Sequence, residues 1–138
     1  MPTKKIAYES WVASFIERLS DYFNLAGWVF EIEYEKKPSQ EMDGAVYAKI
    51  EVNSIYLHAH LTIYPIGKED FTKGNMERLV RSLVHELVHV FLDPFQDAMH
   101  PHLSITTTPL FMTVIEQQTQ KLTMVLLKTL PKDVVPPR

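Results

Sequence analysis

The chain has no cysteine. That absence removes disulfides, thiol nucleophiles and every cysteine-based zinc site together. A metal held by this protein must take its ligands from His, Asp and Glu. There is no excess of positive charge either. Fourteen Lys and Arg against seventeen Asp and Glu leave a net charge of −3. The short pairs Lys4-Lys5 and Lys36-Lys37 make no basic patch, so no nucleic-acid partner is expected. No apolar run is long enough to span a bilayer, so no membrane partner is expected. The N-terminus has charge but no apolar core or cleavage pattern of a secretory signal, which makes cytoplasmic the expected location. Glycine is scarce, four in 138 residues, and 46% of the chain is apolar. With no repeat and no dividing linker, residues 1–138 read as a single globular domain.

Residues 6–25 place Trp11, Phe15, Leu19, Tyr22 and Phe23 at steps of three and four, the period of an amphipathic helix closed by Ala26-Gly27. WVFEIEYE (28–35) alternates Trp28, Phe30, Ile32 and Tyr34 with Val29 and three glutamates, as a half-buried strand does. Pro38 and Gly44 punctuate a loop. Two further strands are expected at 45–53 and 54–65, meeting in a tight turn near Asn53-Ser54. A polar connection, IGKEDFTKGN, then leads to a helix from an Asn75 cap to Leu92, stopped by Pro94. The last helix covers about 110–130 and ends in a frayed tail, DVVPPR. This order predicts an α+β domain with a three-stranded, mainly antiparallel sheet. Trp11 and Trp28 are expected in the core.

The chemistry is concentrated in LVHELVHV, residues 83–90. At 100° per residue with His85 at zero, His89 falls at about 40°, Ser82 at about 60° and Arg78 at about 20°. Leu79, Val80, Leu83, Val84, Leu87 and Val88 fill the opposite arc, and Glu86 lies at about 100°, on the border. The two histidines therefore share the one face that is turned away from the core. One turn apart, their imidazoles can converge on a single ion, with Glu86 placed to reach a water on it. A solvated helix face carrying His, Glu and His by chance is the plainer alternative, and it predicts that chelators change nothing.

A catalytic zinc site takes three protein ligands and leaves one position open. VFLDPF after His89 lacks the glycine of the metzincin continuation, which excludes that class. Three sources remain for the third ligand. Glu116 is the only acid between Asp97 and Asp133, on a helix whose core stripe is Phe111, Ile115, Leu122 and Val125. His100 and His102 lie in a proline-flanked loop. Asp93 and Asp97 stand just past the expected end of the histidine helix. A helix is a more rigid platform for a ligand than a loop.

Taken together, the N-terminal helix, LAGWVFEIEY, HELVH with FLDP after it, and IEQQTQKLTMVLL resemble the small phage-type zincin-like metallopeptidases, relatives of the minimal gluzincin and SprT-type domains. The resemblance covers essentially the whole chain. It implies a minimal zincin-like fold, a Zn2+ cofactor and hydrolysis of a peptide or protein substrate. The gluzincin-like pattern implies His85, His89 and Glu116 as metal ligands; the SprT-type pattern points to His100 or His102 instead. Glu86 is implied as the general base. The resemblance also makes SIYLHAHLTIY the edge strand that pairs with substrate, and implies a host-cell cytoplasm if the chain is phage-encoded.

Tyr56, Tyr64, His100 and His102 have the chemistry to stabilise an oxyanion. His58 and His60, at i and i+2 on one strand face, suit either a small metal site of their own or a solvated surface. A second class of function is a zinc-binding, non-catalytic phage structural or protein-interaction module that keeps the zincin fold. Glu86 separates the two classes, since a purely structural zinc site has no use for it.

Overall fold

The computed structural model of the chain describes residues 7–40 and 46–138. Ile6, Gly44 and Ala45, expected at a helix start, in a loop and at a strand start, lie outside the described residues. Four helices and three strands follow in the order α1 (Tyr8–Tyr22), β1 (Val29–Tyr34), β2 (Ala48–Asn53), β3 (His58–Ile63), α2 (Pro65–Lys73), α3 (Met76–Met99) and α4 (Thr108–Thr129). The α+β class is as expected.

The sheet is mixed rather than mainly antiparallel. Its order is β1-β3-β2, with β1 parallel to β3 and β2 antiparallel to β3. The cause is the long connection after Tyr34, which carries the chain past one strand position before β2 forms. The β2–β3 hairpin then folds back into the gap, leaving β3 parallel to β1. The hairpin turn is also longer than expected. Ser54 to Leu57 form the turn, with Leu57 at φ 51°, and Ile55 and Tyr56 are exposed.

Trp11, Val12, Phe15 and Leu19 of α1, Leu79, Leu83, Leu87 and Val88 of α3, and Ala59, Leu61 and Ile63 of β3 form one buried core. Trp28 packs half-buried at its edge. The tail is not frayed. Trp11 Nε1 donates to the Pro136 carbonyl at 2.9 Å, Arg18 donates to the Asp133 carbonyl, and Val134 is buried.

Two helices depart from expectation. IGKEDFTKGN is largely α2, which begins with Pro65 in its first turn and ends at Gly74 in the left-handed region, φ 81°. Those two residues are the start and stop pattern of a short helix; a sparse apolar face, with Phe71 its one large buried side chain, hid it. The histidine helix also runs through Pro94 to Met99. Proline removes the bond to the Val90 carbonyl and costs about 3 kcal/mol in a helix interior. Contacts beyond it offset this: Phe95 packs on Phe111 with centroids 6.1 Å apart, and the Ser54 hydroxyl donates to Asp97 at 2.9 Å.

Candidate metal centre

Helix α3 carries His85 and His89 on successive turns, between the buried Val84, Leu87 and Val88 that fix its rotation. Their ring centroids are 4.8 Å apart, and the Nε2 atoms face one another at 3.2 Å. Glu116 arrives from α4: Oε1 lies 3.1 Å from His85 Nε2, and Oε2 lies 3.1 Å from His89 Nε2. One donor atom from each residue can be chosen so that all three lie within 4.8 Å of one another. Among the described residues no other such group of three is found.

Helix α4 uses only part of the expected stripe: Ile115 is buried and Leu122 packs half-buried against the core. Ile115, Thr119 and Thr123 are its buried residues, whereas Val125 is 57% exposed. The Thr119 and Thr123 hydroxyls donate to the Ile115 and Thr119 carbonyls, each at 2.7 Å. A buried hydroxyl satisfied within its own helix carries little penalty. The small threonines let α4 lie close along α3, which sets Glu116 against the imidazoles.

The donor set fits a metal ion. Four-coordinate zinc with bonds of about 2.0–2.1 Å separates neighbouring ligand atoms by about 3.3–3.4 Å; the two Nε2 atoms are 3.2 Å apart, and each has a carboxylate oxygen at 3.1 Å, Oε1 for His85 and Oε2 for His89. Hydrogen bonds cannot satisfy all three contacts, because each Nε2 carries at most one proton and faces both a carboxylate oxygen and the other Nε2. Burial, and then His85, hold the His89 pKa below its ordinary value. That favours the neutral imidazole, the form that binds a metal.

Glu86 is buried, 8% exposed, rather than on the border of the polar face. Burial, reinforced by the nearby charge of Glu116, pushes its pKa up to about 8. Two cavities meet at this group, and both are lined by Ala48, His85, Glu86 and Glu116. One, of about 510 Å³, extends toward the start of α3 past Tyr47, Arg81, Ser82 and Gln120. The other, of about 400 Å³, extends the opposite way past Lys49, Val52, His89, Asp93 and Gln96.

The strand beside this cleft is β2. β3 is paired on both sides and has no free edge, so it cannot be the edge strand expected for SIYLHAHLTIY. The other expected residues lie elsewhere. His100 and His102 are exposed in a short 3-10 turn after α3. Asp93 and Asp97 belong to the last turns of α3, and neither joins the converging group. Burial, reinforced by the nearby charge of Asp97, holds the Asp93 pKa up. Tyr56 is 78% exposed on the hairpin turn, and Tyr64 caps α2 beside a different cavity.

His58 and His60 do share the open face of the sheet, paired with glutamates of β1. His58 Nε2 is 3.3 Å from Glu31, and His60 Nε2 is 2.8 Å from Glu33. The hydrogen bond to Glu33 leads the causes that hold the His60 pKa up. Sequence reasoning missed Arg81, although four residues before His85 is the same helix face.

Comparison with protein-family models, with curated proteins and with solved structures gave no match. Geometry alone therefore defines the class: an α+β domain whose His-His-Glu group can hold a metal ion. No helix among the described residues is long and apolar enough to cross a membrane.

Proposed function

We propose that this chain is a zinc-dependent metallopeptidase with a minimal zincin-like architecture. The observation that carries this reading is the convergence of His85, His89 and Glu116 beside the buried Glu86, in a cleft walled by an edge strand. Two imidazoles and one carboxylate suit a catalytic zinc better than a structural one, because three protein ligands leave a position open. Bound there, zinc supplies polarisation of a substrate carbonyl and a lowered pKa for water, near 7.

The chain's own residues do the rest. Glu86 takes a proton from the attacking water and returns it to the leaving amine. Only the ionised carboxylate can take that proton, and the positive charge of an ion held beside it would favour that form. The edge of β2 left unpaired among the described residues offers backbone donors and acceptors along which an extended peptide would align. Arg81, Ser82 and Gln120 on one side, and Lys49 and Gln96 on the other, are among the polar hydrogen-bond donors that line the cleft.

The test is cleavage of a quenched-fluorescent random peptide library by zinc-loaded protein, beside Glu86→Gln. Turnover by wild type and none by the variant, with equal zinc in both, supports the reading. Equal zinc and no turnover by either protein leaves the non-catalytic zinc module.

A further inference from the structure

The two halves of the cleft differ in charge. Arg81 lines the larger cavity, is exposed, and has no ion-pair partner among the described residues. Its neighbour Arg78 is different: Asp70 accepts two hydrogen bonds from it, each 2.7 Å long, so its charge is already neutralised. Outside the metal group and Glu86, Arg81 is the only charged side chain among the described residues that line that cavity. The other cavity has Asp93 instead, with Lys49 at the sheet edge.

Position adds to charge. Arg81 precedes His85 by four residues and Asp93 follows His89 by four, so both share the metal-binding face of α3. Four residues of helix rise about 6 Å, and an extended peptide advances about 3.3 Å per residue. A guanidinium there meets a group about two residues from the bond held at the metal group. Ser82 and Gln120 line the same cavity and supply further donors.

We infer that Arg81 is a specificity-determining residue, selecting substrates with a carboxylate about two residues from the scissile bond on that side. This rests on the peptidase reading. The carboxylate comes either from an Asp or Glu side chain or from a free C-terminus. Arginine recognises both through the same paired hydrogen bonds.

Fluorescence anisotropy with zinc-loaded E86Q protein reads binding without turnover. The probes are acetylated, amidated octapeptides with Glu scanned through the sequence, matched Gln and Lys peptides, and the Gln peptide with a free C-terminal carboxylate. The double variants E86Q/R81A and E86Q/R81E complete the set, with zinc content measured in each. Because Arg81 is exposed and unpaired, both are expected to fold and keep their zinc.

The expected result is roughly tenfold to hundredfold tighter binding of a carboxylate peptide than of the Gln peptide. R81A removes that preference, and R81E turns it toward Lys. Preference for internal Glu assigns the side chain, and preference for the free terminus assigns a C-terminal subsite. Equal binding of Glu, Gln and free-terminus peptides, or discrimination unchanged in R81A, overturns the role of Arg81 and leaves the peptidase reading standing. If no peptide of any charge binds, both readings fall together.

Discussion

Glu116 and His85 lie on different helices, yet the carboxylate Oε1 is 3.1 Å from the imidazole Nε2. The donor set is therefore complete only when α4 is docked on α3, and metal binding and docking must be thermodynamically linked. Purified protein supplied with zinc is expected to hold about one ion per chain. H85A, H89A and E116A should each lose most of it, as elemental analysis after desalting would show. Zinc at a hundred times its dissociation constant should add about 2.7 kcal/mol of stability. A chelator should return the melting temperature to that of the metal-free chain. Retention of zinc by E116A would move the third ligand elsewhere.

The histidine pair could be read from the sequence because both constraints on it are local. A helix places i and i+4 on one face, and the aliphatic residues between them determine which face is buried. Glu116 could be nominated from its helix, but its contact with His85 depends on how α4 docks. That docking runs through Thr119 and Thr123, which no hydrophobic pattern would select. The same limit explains the other departures. Pro94 is a stop signal until the contacts of Phe95 and Asp97 outweigh it. The assignment of β2 to the cleft is a property of strand order, set by a crossover that alternation within a strand cannot reveal.

Glu86→Gln separates catalysis from metal binding. The amide keeps the size of the side chain but cannot take a proton, so turnover should fall by at least two orders of magnitude, the usual scale for a general base. Zinc content should be unchanged, because Glu86 is not in the converging group. A buried neutral amide also avoids the cost of ionising a buried carboxyl. Metal-free E86Q should therefore melt no lower than metal-free wild type at pH 8. Residual activity near the wild-type rate would remove Glu86 from the mechanism.

Asp70 should make the fold acid-sensitive. Buried in α2, it accepts from Arg78 twice and from the Tyr47 hydroxyl at 2.9 Å, tying α3 and the start of β2 together. The Arg78 hydrogen bonds, helped by that of Tyr47, hold its carboxyl below the ordinary value of 3.8. A group with a depressed folded pKa contributes stability above its unfolded value and loses it as pH falls through the folded one. Urea midpoints of wild type should thus drop between pH 5 and pH 2 more steeply than those of Asp70→Asn, which starts less stable at pH 7. Parallel loss in the two proteins would assign the acid sensitivity to other carboxyls.

Thr119 is the position at which packing alone should control the metal. It is fully buried, and its hydroxyl bonds within its own helix, so it offers nothing to a ligand. Thr119→Val keeps the shape and removes a hydroxyl whose only hydrogen-bond partner among the described residues is a carbonyl of the same helix, so stability should change by less than about 1 kcal/mol. Thr119→Leu instead forces extra volume between α4 and α3, at a cost of about 1–3 kcal/mol. The strain should lift α4 and draw Glu116 away from His85 and His89. Zinc affinity should therefore fall in T119L and hold in T119V, measured by competition with a chromogenic chelator. Equal affinity in both would show that Glu116 reaches the imidazoles without close packing of the two helices.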